Sequence, residues 1–105
     1  MDNNFDLSPE EFAKAHKVNP DSILIDVRTP EEYGSGHLPG AINININGFE
    51  FHEQIEELDP NKEYYVYCRS GARSMAACKY MFSKGFNNVK HLQGGILAWH
   101  GEVEK

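Results

Sequence analysis

Cysteine is scarce in this sequence: two residues, Cys68 and Cys78, in a chain of 105. Neither belongs to a CxxC pair, which argues against a disulfide scaffold. Basic residues are also in deficit. Ten Lys plus Arg face sixteen Asp plus Glu, for a formal net charge of −6, the wrong sign for a general nucleic-acid binder. No apolar run approaches the ~18 residues that span a bilayer, so no membrane association is expected. The first residues, Met1-Asp2-Asn3-Asn4-Phe5-Asp6, carry neither the basic nor the apolar segment of a secretion signal. A reduced, cytoplasmic protein is the expectation. The five histidines (His16, His37, His52, His91 and His100) show no HxH or HExxH spacing, so no metal and no cofactor are expected. Repeats, low-complexity tracts and linkers are absent too, and residues 1–105 read as one domain, expected to be monomeric.

What remains is an ordinary globular composition, 40% apolar and 25% charged, with clear local signals. Ser8-Pro9-Glu10-Glu11 combines an N-cap hydroxyl, Pro at the first helical position and a returning Glu, so a helix should run from Ser8 to about Lys17. Thr29-Pro30-Glu31-Glu32 repeats the pattern, but Gly34 and Gly36 limit it to a turn or two. Ile23 to Val27, Ala41 to Ile44, Tyr64 to Tyr67 and Val89 to Leu92 read as short buried strands. Phe49 to Leu58 and Ala72 to Lys84 read as helices, and Gln93-Gly94-Gly95 turns into a last short helix carrying Ile96, Leu97 and Trp99. The alternation predicts an α/β fold with a central, mostly parallel sheet of about five strands, flanked by helices on both faces. Ligands in such sheets bind beyond the C-terminal strand ends, and the Tyr64–Tyr67 strand runs directly into Cys68.

In Cys68-Arg69-Ser70-Gly71-Ala72-Arg73 a cysteine at a strand end is followed by a small-residue turn and a helix. Such a turn can converge several backbone N–H groups on one point. The helix N-terminus adds partial positive charge, and Arg69 and Arg73 add two full charges. This setting favours thiolate over thiol and can lower a cysteine pKa to roughly 3.5–7.5 from about 8.5. An inert core cysteine is the plain alternative, but it leaves the glycine turn, the arginines and the oncoming helix unexplained. Cys68 is therefore expected to be the nucleophile, with Arg69, Ser70, Gly71, Ala72 and Arg73 as its anion-binding loop.

Three separated stretches resemble the rhodanese-like family. Ile25-Asp26-Val27-Arg28-Thr29-Pro30-Glu31-Glu32-Tyr33 leading to Gly36-His37-Leu38-Pro39-Gly40-Ala41-Ile42-Asn43-Ile44 looks like its N-terminal signature. Cys68 to Arg73 looks like its active-site loop, and Gly94-Gly95-Ile96-Leu97-Ala98-Trp99 like its C-terminal signature. The resemblance implies a sulfurtransferase that takes sulfane sulfur from a small anionic donor such as thiosulfate onto Cys68 as a persulfide. It then passes the sulfur to cyanide, a thiol or a protein acceptor. Loop amides would hold the terminal sulfur, while Arg69 and Arg73 would orient the sulfonate end and stabilise departing sulfite. A thiol already ionised needs no partnering base. The alternatives are a relay or partner-binding module without turnover, and a cysteine-dependent phosphatase or arsenate reductase. The latter use Cys-x5-Arg, whereas here Arg73 comes one residue sooner and Ser74 takes the arginine's place.

Other residues have plainer readings. Asp26, Arg28 and Glu32 are expected to form a structural polar cluster, and His37 to pack or cap a turn. Cys78 shares an i, i+3, i+7 stripe with Met75 and Phe82 that should face the core. It lies about 9 Å along the helix from its start, too far for a disulfide to Cys68, which needs Cα atoms within about 7 Å. Trp99 is either a core anchor or one wall of the active site. Phe49 and Phe51 either rim the pocket or staple a helix.

Overall fold

A computed structural model describes residues 5–105. The element order is β1 (Asp6–Leu7), α1 (Pro9–Val18), β2 (Ile23–Asp26), α2 (Pro30–Gly34), β3 (Ile42–Asn43), α3 (Phe51–Glu56), β4 (Tyr64–Tyr67), α4 (Ala72–Ser83), β5 (Val89–Leu92) and a 3-10 turn (Ile96–Ala98). Among the described residues the strands form one sheet in the order β1-β5-β4-β2-β3. Every pairing is parallel.

Local chemistry accounts for the element starts. Ser8 and Thr29 each close a reciprocal capping box, with Glu11 and Glu32, and Pro follows each cap. The strands are short and buried, as a sheet covered on both faces requires. On one face Ile25, Val27, Tyr64, Val66 and Cys68 pack against Phe51 and Ile55 of α3 and Ala77, Cys78 and Met81 of α4. On the other, Leu24, Tyr65, Tyr67 and Leu92 pack against Phe12 of α1 and against Leu38. The five-stranded parallel sheet with helices on both faces thus stands as the sequence predicted.

Two details differ from the sequence reading. β1 was not foreseen. It is two residues long and is held on the β5 edge by His91 N–H to Phe5 O at 2.7 Å and Gln93 N–H to Leu7 O at 2.8 Å. The inward stripe of α4 is Ser74, Ala77, Cys78 and Met81, rotated from the expected Met75, Cys78 and Phe82. Phe82 is exposed and meets the ring of Phe5 edge-on at 5.8 Å. The helix is phased by Ser74, a polar residue that faces inward because its partners lie there.

Candidate active site

Cys68 follows β4 immediately, is buried, and carries a free thiol. Gly71 N–H donates to Cys68 Sγ at 3.1 Å and Ser74 N–H at 3.3 Å. Ser74 Oγ lies 3.5 Å from the same sulfur. Burial pushes the thiol up, but the Ser74 hydroxyl and the amides of Ser74, Gly71 and Ser70 outweigh it and hold Cys68 below its ordinary value. Of the amides expected from Arg69 to Arg73, those of Ser70 and Gly71 face the sulfur, and Ser74, one residue beyond, supplies another. Gly71 makes this bowl possible: at φ +116° it adopts a conformation that side chains rarely tolerate, turning the chain into α4.

The loop is clamped from behind by the Gly94-Gly95 turn. Ile96 N–H donates to Cys68 O at 2.9 Å and Leu97 N–H to Arg69 O at 3.2 Å. A Cβ on Gly95 would stand 2.3 Å from Arg69 O and 2.6 Å from Ser70 N. The C-terminal signature is therefore a backbone brace for the Cys68 loop. Trp99 is not a wall of the bowl. Its ring meets Phe12 of α1 edge-on at 6.3 Å, and it lines a separate cleft with Phe12, His16, Leu38 and Pro39.

The arginines are placed unequally. Arg69, like Ser70 and Ala72, is exposed at the rim. Arg73 does not hold its fork open for an anion: it grips Glu32 at 2.8 and 3.0 Å. Its charge still acts at Cys68 through space, but the contacts to sulfur come from amides and a hydroxyl. Glu32, expected beside Asp26 and Arg28, instead reaches across to Arg73. Asp26 and Arg28 form their own buried pair at 2.7 Å, and Arg28 also donates to Gly36 O at 2.7 Å. His37 stacks on Tyr33, its ring centroid 3.8 Å away. Phe51 is buried in the core, whereas Phe49 is exposed in the loop that precedes α3. Cys78 is fully buried, and burial pushes its thiol up to about 12.

Sequence reasoning missed two residues. Ser74 lies one position beyond the loop, and His91, on β5, places Nδ1 2.9 Å from Ser74 Oγ. The signal available for Ser74 was its position two residues into a helix that begins at the reactive loop. For His91 there was none, because strand pairing alone brings it near.

Known proteins are similar to this chain in sequence and in fold. The family model for the rhodanese-like domain matches residues 8–102. YtwF of Bacillus subtilis (strain 168) is 38% identical over 99 residues, covering 94% of this chain and 93% of that protein. A sulfurtransferase of Allochromatium vinosum is 34% identical over 98 residues, covering 91% of this chain and 90% of its own length. The crystal structure of a rhodanese-related protein from Thermoplasma volcanium superposes with a TM-score of 0.82 at 29% identity, over 94% of this chain and 96% of that one. With a strand-end cysteine facing amides and all three signatures in order, the chain belongs to the rhodanese-like domain family.

Proposed function

We propose that this protein is a sulfurtransferase in which Cys68 carries a sulfane sulfur as a persulfide. The observation that carries the reading is the convergence of the Gly71 and Ser74 amides on a buried cysteine sulfur. A site built to hold one negative charge on sulfur serves the thiolate and, one atom further out, the persulfide.

Cys68 thiolate attacks the outer sulfur of thiosulfate. The new S–S bond forms as the old one breaks, and sulfite departs with the electron pair. Cyanide or a thiolate acceptor then takes the outer sulfur, and Cys68 thiolate leaves. Arg69, exposed at the rim, is placed to meet the anionic donor. Ser70, Gly71 and Ser74 contribute backbone amides to the bowl. Phosphate-ester chemistry fits less well, because it needs a free arginine fork closing the loop, and Arg73, which stands at the loop's end, is closed on Glu32.

Incubation with thiosulfate should add one sulfur atom to the protein mass, and cyanide should remove it. Cys68→Ser should take up none while keeping the fold. Uptake by that variant would overturn the assignment. Uptake that is discharged only to a protein acceptor, with no turnover to cyanide or small thiols, would favour a relay module.

A further inference from the structure

Behind the bowl a line of polar groups runs from the buried sulfur to the sheet edge. Ser74 Oγ faces the Cys68 thiol, which donates to it at 3.5 Å, and has one proton of its own, for which Gly71 O at 3.2 Å and His91 Nδ1 at 2.9 Å compete. On the far side of the imidazole, Nε2 meets the Asp6 carboxylate. His91 is buried, its side chain 4% exposed, whereas the Asp6 side chain is 41% exposed. Three elements supply the line: α4 gives Ser74, β5 gives His91, and β1 gives Asp6, which stands opposite His91 in the strand register.

We propose that His91, positioned by Asp6, is the proton acceptor for Cys68 through the Ser74 hydroxyl. This deepens the sulfurtransferase reading, on which it rests. In the step, the S–H bond of Cys68 breaks and its proton passes to Ser74 Oγ. The original Ser74 hydroxyl proton moves to His91 Nδ1. The products are a thiolate and an imidazolium; nothing is oxidised or reduced, and no water is needed. Ser74 then keeps a hydroxyl to donate to the sulfur, because the protonated Nδ1 no longer competes for it. With His91 neutral and Nε2–H on Asp6, Nδ1 is a bare lone pair that draws the Ser74 proton away from sulfur. The charge on His91 therefore decides which way the hydroxyl points.

The groups packed around His91 come from β1, β5, α4 and β4. β1 contributes Asp6, and β5 carries Lys90 next to His91 in sequence. α4 contributes Ser74 and, one turn on, the Cys78 thiol. β4 presents Val66 in register. Gly71 faces the ring edge, since a Cβ there would meet His91 Cε1 at 3.7 Å. The carboxylate of Asp6 is thus the one anion in hydrogen-bond contact with the imidazole among the described residues.

Thiolate absorbance, read as the difference between each protein and its Cys68→Ala counterpart, tests this without any sulfur donor. His91→Asn keeps a polar atom beside Ser74 but cannot take the proton, and should raise the apparent Cys68 pKa by about one unit. Asp6→Asn should move it the same way by less. His91→Asn added to Ser74→Ala should raise it no further than Ser74→Ala alone, because the two act in series. An unshifted titration in His91→Asn, or full additivity with Ser74→Ala, would overturn the relay. Should His91→Asn fail to fold, the imidazole titration of His91 by NMR decides. By reciprocity it should fall in Cys68→Ala, and an unchanged value refutes the coupling. A chain that never forms a persulfide would fail the mass assay and still answer these two measurements.

Discussion

Glu32 and Arg73 stand 41 positions apart in sequence, yet their side chains interlock at 2.8 and 3.0 Å. Arg73, against the cost of burial and with help from the Thr29 amide and hydroxyl, holds the Glu32 carboxyl down to about 2. Its folded value lies below its unfolded one, so the stabilisation is complete above the unfolded pKa and drains away as pH falls towards about 2. Glu32→Gln should therefore unfold more readily than the parent at neutral pH, by about 1 kcal/mol after discounting for partial exposure. In denaturant titrations at several pH values the gap should close in acid. A gap that persists at pH about 2 would show that packing and not charge is responsible. At this scale Cys68 was legible because a strand, a glycine turn and a helix meet around it. Ser74 and His91 were not. Ser74 shows only its place near the start of a helix and His91 shows nothing local, because strand pairing and the packing of α4 are what bring the two side chains together.

Elements were more legible than residues. The capping boxes at Ser8 and Thr29 and the apolar runs of β2, β4 and β5 each carry their own signal, and all formed. β1 carries none: Asp6–Leu7 becomes a strand because β5 offers an open edge. The same dependence on neighbours makes the Gly94-Gly95 brace sensitive to a single methyl group. Gly95→Ala places a Cβ 2.3 Å from Arg69 O at φ +66°, so either the brace or the reactive loop must move. We expect a loss of about 2 kcal/mol or more and a tenfold or greater drop in the rate of sulfur uptake, read by denaturation and by mass. Gly85→Ala is the control. It also has positive φ, at +95°, but nothing lies within 4 Å of its Cβ. It should cost about 1 kcal/mol and leave uptake unchanged. Equal effects from the two variants would refute the brace.

The whole chain carries a net charge of −6, so an anionic donor approaches against the field of the body. Raising salt from about 0.01 to about 0.15 M shortens the screening length from roughly 30 to roughly 8 Å and should speed thiosulfate uptake a few-fold. A rate that falls with salt would mean that Arg69 at the mouth governs approach. Inside the mouth the division of labour has an evolutionary reading. The cup that holds the sulfur is main chain plus one inward hydroxyl, fastened from behind by main chain, while the side chains of Arg69, Ser70 and Ala72 point away into solvent. Those three positions can change identity without rebuilding the cup. Descendants of such a chain are free to exchange clients while keeping one unaltered way of holding sulfur.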